Sequence, residues 1–122
     1  MQSKFMKATT NYEHDIDILD IDIVDDYDYK TSLELETGII LDFDKNCIPV
    51  SLEILAASKI FKVNKDLFNN LKKTDMTIEI TEELIKVEVE LEFNVQSKIS
   101  SLKSMVLNTI NAPVMQTALA SS

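Results

Sequence analysis

The chain of 122 residues has one glycine, two prolines, one cysteine, no tryptophan and no arginine. Each shortage excludes something. A lone Cys47 forms no internal disulfide, which suits a reducing compartment. The opening MQSKFMKATT carries no apolar signal core, so the expected location is the cytoplasm. No run of 18 apolar residues is present, so no helical membrane span is expected. All 12 bases are lysine against 21 acids, a net charge of −9. Phosphate forks and guanine readout rely on the planar guanidinium, so a nucleic-acid partner is not expected. Internal repeats and Gly/Ser/Pro-rich linkers are missing too, and one domain over residues 1–122 is expected.

What is present is alternation. The apolar share is 45 %, ordinary for a chain with a core. Residues 33–54, LELETGIILDFDKNCIPVSLEI, read as three antiparallel strands. A three-residue turn at Glu36-Thr37-Gly38 pairs Leu35 with Ile39 and Leu33 with Leu41. A four-residue turn at Asp44-Lys45-Asn46-Cys47 pairs Phe43 with Ile48, Leu41 with Val50 and Ile39 with Leu52. Both turns put the same side chains on one face. Pro49 lacks an N–H and marks an edge or a bulge.

Around this meander, residues 4–12 read as a strand. Residues 13–28 read as an acidic strand with a bulge, or two short strands, whose phase shifts at Leu19. Residues 56–73 read as a helical insert, with Asn64 as a helix N-cap. Strands follow at Met76–Ile80 and Ile85–Phe93, where apolar and polar residues alternate cleanly. Residues 98–108 suit a returning strand or a helix, and strand is the expectation. After Pro113 a small, polar surface tail is expected. The predicted class is α+β: an N-terminal meander over 4–54, the insert over 56–73 and a C-terminal hairpin region over 74–110, mainly antiparallel sheet.

No convergent catalytic set stands out, and no catalytic, cofactor-binding or metal-ligating residue is assigned. Asp15, Asp17, Asp20 and Asp22 offer carboxylates suited to Ca²⁺ or Mg²⁺, but on a strand they diverge, and a solvated edge that resists aggregation is the expectation. His14 has no second histidine or nearby cysteine to share a metal. Cys47 lacks a neighbouring base. Asp42 faces Pro49 and stands about 13 Å from Glu53, too far for a dyad. Glu53 is placed to accept hydrogen bonds at the start of the insert, near Ala57 and Ser58.

The stretch TGIILDFDKNCIPVSLEILAASKIF resembles the prokaryotic family called domain of unknown function 2283, through Ile40, Leu41, Asp42, Ile48, Glu53, Ile54, Leu55, Ala57, Ser58 and Lys59. Tyr12-Glu13-His14-Asp15 is similar to that family's opening strand, and KVNKDLFNNLKK through LNTINAP to its longer subgroup. The family's turn glycine is replaced by Ile48-Pro49-Val50. The resemblance implies no activity. Some short members stand beside small toxin-like genes, which implies an antitoxin-like role toward a small basic toxin. The leading expectation is a non-catalytic domain that works by protein contact or self-association. The alternatives are that antitoxin-like role and a divalent-cation-binding protein or small enzyme using the Asp-rich strand.

Overall fold

A computed structural model describes residues 2–95 and 98–121. Nine strands form one curled, mixed sheet, a half-barrel: β1 (Gln2–Glu13), β2 (Ile18–Ile23), β3 (Tyr29–Glu34), β4 (Ile39–Asp44), β5 (Pro49–Ile54), β6 (Leu71–Ile80), β7 (Leu84–Phe93), β8 (Ile99–Leu107) and β9 (Met115–Ser121). Their spatial order is β3-β4-β5-β2-β1-β9-β6-β7-β8. Strand accounts for 61 % of the described residues and helix for 9 %. The expected α+β class is therefore corrected to mostly β. The expected insert over 56–73 shrinks to helix α1 (Ala57–Phe61) and one 3₁₀ segment, Lys65–Asn70. Asn64 does cap that 3₁₀ segment, its side chain accepting from the Asp66 N–H at 2.9 Å. The β-pattern resumes at Leu71 because Leu71, Thr74, Met76, Ile78 and Ile80 share the inner face.

The inner face is one apolar core. Leu19, Ile21, Leu41, Phe43, Leu52 and Ile54 from one half meet Met76, Ile78, Val89, Leu91 and Phe93 from the other. Strand β1 joins the halves: Gln2–Lys7 pair with β9, while Ala8–Glu13 pair with β2.

The first meander turn stands as read: Leu33 lies opposite Leu41, and Gly38 has φ +86°. The second register is corrected by two residues. Leu41 lies opposite Leu52, and Ile39 opposite Ile54. Two single steps add up to this shift. Cys47 takes a left-handed conformation (φ 59°), which shortens the turn to three residues. A bulge then separates the Asp42–Ser51 and Phe43–Pro49 pairs. Two steps restore the parity beyond the bulge, so Ile39, Leu41, Phe43 and Leu52 face the core as predicted, whereas Pro49, predicted on the other side, lies opposite Phe43, and Val50 falls outside the core cluster. Pro49 marks that bulge, since β5 is not an edge strand.

Two further expectations change. Residues 14–17 form the β1–β2 turn, and the acidic strand is β2, which lies between β1 and β5 instead of at an edge. The C-terminal tail is β9, central in the sheet, parallel to β1 and antiparallel to β6. Met115, Thr117 and Leu119 point inward and are buried. Asn108 shapes the crossover to β9: its side chain donates to the Thr81 and Ala112 carbonyls and accepts from the Ala112 N–H.

Burial of Leu119 predicts that Leu119→Ala costs about 2–4 kcal/mol in urea unfolding. A frayed tail would give less than about 0.5 kcal/mol.

Candidate functional site

Asp17 is a hub of hydrogen bonds. It ends the β1–β2 turn at φ 56° and is buried. Its Oδ1 accepts from the Tyr12 hydroxyl at 2.6 Å and from the Ser58 N–H at 3.0 Å. Its Oδ2 accepts from the Ser58 hydroxyl at 2.7 Å, and its carbonyl accepts from the Ala57 N–H at 3.0 Å. Asp17 thus caps α1 across 41 residues of sequence. The cap expected from Glu53 belongs to Asp17. Burial pushes the Asp17 carboxyl up, but hydrogen bonds from Tyr12 and Ser58 outweigh it and hold the group below its ordinary range. The Tyr12 hydroxyl is raised, first by burial and then by Asp17. The Tyr12 ring stacks on Phe68 at 4.1 Å, which ties the 3₁₀ segment to the same clamp.

The outer face of the first half is acidic. Asp20 on β2 lies directly opposite Glu53 on β5, and Asp22 lies opposite Ser51. Asp42 on β4 lies opposite Ser51 on the far side. Asp42 and Glu53 are therefore one diagonal step apart, about 7–8 Å, and not 13 Å. Hydroxyls relieve part of the row: Ser51 donates to Asp22, and Ser32 donates to Asp42. Tyr27 borders it, its hydroxyl raised by burial and then by Asp22 and Asp42. Asp20 has no such donor. Burial first, then the charges of Glu53, Asp22, Glu13 and Asp42, push its carboxyl up to about 6. The Asp20–Glu53 pair escaped the sequence reading because it depends on which strand lies beside β2. Its Cβ atoms lie about 5 Å apart, close enough to share a proton.

These carboxylates lie side by side on a sheet face. Among the described residues, no group of three or more His, Cys, Asp or Glu side chains converges as a metal site. Asp15 is exposed in the turn, away from Asp20 and Asp22 on β2. His14 Nε2 is 2.9 Å from Asp66 Oδ1 at an exposed position. Cys47 is buried in its turn, with Lys30 Nζ 3.5 Å from its sulfur. An open groove of about 670 Å³ mixes Lys4, Lys7 and Lys45 with Asp25, Asp28 and Asp44.

The last feature is a strand edge. Among the described residues β3 and β8 end the sheet. β3 is six residues long, with an irregular register near Tyr29. β8 is nine residues long and pairs in unbroken register with β7. The Lys98 carbonyl and the Asn108 N–H both bond toward β7 or its flanks, so the even-numbered residues face β7. Ile99, Ser101, Lys103, Met105 and Leu107 therefore turn their N–H and C=O groups to the open side. All five are exposed, Ile99 and Met105 at 54 % and Leu107 at 63 %. No helix among the described residues is long and apolar enough to cross a membrane.

Comparison with known proteins adds three findings. Residues 10–58 match the model of a family described as protein of unknown function, DUF2283. A Methanosarcina mazei protein, provisionally named a hypoxanthine phosphoribosyltransferase, is 34 % identical over 70 % of this chain and 71 % of its own length. An uncharacterized protein of Methanocaldococcus jannaschii is 35 % identical over 87 % of this chain and 90 % of its own. No solved structure matches.

Two predictions follow from the carboxylates. Asp17→Ala strands the Ser58 N–H and the Ser58 and Tyr12 hydroxyls and is expected to cost about 3 kcal/mol in urea unfolding at pH 7. Its cost shrinks as pH falls through the lowered Asp17 pKa, because the carboxylate is what the clamp holds. Asp20 behaves oppositely. With its pKa raised to about 6, the folded chain binds more protons than the unfolded chain between roughly pH 4 and 6, so this group's contribution to stability falls as pH rises through that window. Asp20→Asn is expected to gain about 1 kcal/mol at pH 7, allowing for solvent screening, and close to nothing at pH 4. An equal gain at both pH values would rule out charge repulsion as the cause.

Proposed function

The chain belongs to the DUF2283 family, whose description carries no activity, and from that premise we propose that it is a non-catalytic protein-interaction domain working through a sheet edge. The observation that carries this reading is β8, a long edge strand whose five outward residues are all exposed, three of them large and apolar. Exposed edges of this kind template another strand, and proteins that do not use them blunt them with charge, proline or bulges. β3 is blunted by its short length and irregular register, while β8 has Lys103 alone within its span.

A second reading comes from the provisional name of the Methanosarcina mazei relative. Phosphoribosyl transfer needs a place for phosphate, and the N–H groups of a helix start are a common one. Here the first N–H groups of α1 are taken by the carbonyl and carboxylate of Asp17, and the chain's net charge of −9 repels phosphate. The interaction reading is therefore preferred.

Purified chain incubated with hypoxanthine, phosphoribosyl diphosphate and Mg²⁺ is expected to form no nucleotide. Turnover would overturn the non-catalytic reading. Chemical cross-linking in concentrated solution and in cell extract is expected to capture the chain in a larger assembly. Leu107→Lys should abolish that capture while shifting Tm by less than about 3 °C. An assembly unaffected by changes along β8 would exclude the edge.

A further inference from the structure

We infer that the occupant of the β8 edge is β8 of a second copy, in an antiparallel, two-fold pairing centred on Ser104. This rests on the interaction reading above and names its partner.

The first reason is an unpartnered buried hydroxyl. Ser104 lies on the inner face of β8 at 6 % exposure, and its Oγ has no hydrogen-bond partner among the described residues. A buried hydroxyl without a partner costs about 1–3 kcal/mol. Ser104 bonds its backbone to β7, so on the open side it occupies a non-hydrogen-bonded position. Residues facing each other at such positions come closest, with Cα atoms about 4.5 Å apart. In a two-fold pairing centred there, the two Ser104 residues face each other, and rotation about χ1 brings each hydroxyl, enclosed in the single chain, to its twin, to which it can donate or from which it can accept.

The second reason is register and charge. Facing residues must lie on the same face of a continuous sheet, so their numbers share parity and the axis passes through a residue. An axis at Lys103 would set two ammonium groups against each other. An axis at Ser104 places Lys103 opposite Met105 and Ser101 opposite Leu107, so each apolar side chain meets a small residue or a lysine stem. Lys103 also lies opposite Glu88 on β7, which balances its charge within its own sheet. β8 itself carries one charge, Lys103, and its neighbours on β7 are Lys86, Glu88, Glu90 and Glu92, whereas the Asp20–Glu53 face sets carboxylate against carboxylate with no lysine between and would repel its own copy.

The third reason is symmetry. An isologous edge pairing closes after two copies and leaves only the blunted β3 edges outside.

The test combines mass and position-specific cross-linking. Light scattering after size exclusion is expected to give about twice the monomer mass of 13.8 kDa, and Leu107→Lys should return it to the monomer. In a Cys47→Ala background, Ser104→Cys is expected to form a covalent dimer on mild oxidation, while Ser101→Cys, which faces Leu107, does not. If Ser104→Cys perturbs folding, Lys103→Cys combined with Met105→Cys reports the same register. A monomer at about 100 µM overturns the pairing. So does a dimer that cross-links at neither position. A monomer that still holds another protein through β8, lost in Leu107→Lys, overturns self-pairing and leaves the interaction reading standing. A monomer with no β8-dependent partner overturns both.

Discussion

The structure depends on β1 being shared. Its first half bonds to β9 and its second half to β2, so one strand of 12 residues carries both sides of the half-barrel. The apolar faces of the two sides have no other covalent or ladder connection in the middle of the sheet. They bury each other because β1 holds them at a fixed curl. Its inner face is modest for that task. Of Met6, Ala8, Thr10 and Tyr12, Ala8 and Thr10 are small, Tyr12 is polar-tipped, and only Ala8 is buried. Its work is in the backbone, and its small inner residues leave room for the large ones of β2, β6 and β7 to meet.

Asp17 is the second constraint, and it acts where the ladder stops. Past Glu13 the chain must turn, and α1 must find a place beside that turn. A five-residue helix has almost no intrinsic stability in water. The Asp17 carboxylate satisfies the first N–H groups and the Ser58 hydroxyl together, and the Tyr12 hydroxyl ties the cluster back to β1. The left-handed backbone at Asp17 and Ala56 is held by these contacts, while Lys62 takes the left-handed conformation of a helix C-cap, its N–H donating to the Lys59 and Ser58 carbonyls. The carboxylate that suggested a cation in the sequence is therefore used up by the fold.

The legible parts of the sequence were those set by a period. β4 through β7 show alternation strong enough to give their inner faces, and the Gly38 turn gives its register outright. The β4–β5 register is off by two because a left-handed Cys47 and a bulge at Pro49 each add one step: Pro49 signals an edge or a bulge without saying which, and Cys47 carries no local signal. β9 was missed because Gln116, Ala118 and Ala120 have weak strand propensity and Pro113 reads as a stop. The alternation of Met115, Thr117 and Leu119 was present but short. Its strand state comes from the gap between β1 and β6, a tertiary effect. The α+β expectation failed for a related reason: residues 56–73 have helical composition, but Asn64 and the early return of β-pattern at Leu71 cut the helix short. The Asp20–Glu53 pair depended on strand order, which alternation does not encode.

The distribution of charge along the sheet turns these details into a functional argument. Like charges on neighbouring strands weaken a sheet, and here Asp20, Glu53, Asp22 and Asp42 are held together on β2, β5 and β4. The arrangement keeps one face wet and unattractive to further copies of so acidic a chain. The other end of the sheet mixes its charges: Lys72, Lys73 and Lys86 pair with Glu92, Asp75 and Glu79, and Lys103 lies opposite Glu88, although Asp75 also lies opposite Glu90. The proposed contact through β8 rests on this difference between a face crowded with carboxylates and an edge strand that carries one charge, Lys103. The carboxylates lie spread along one face of the sheet, and of the three buried hydroxyls without a partner among the described residues, Ser104 belongs to the edge strand, while Thr74 and Thr117 belong to interior strands.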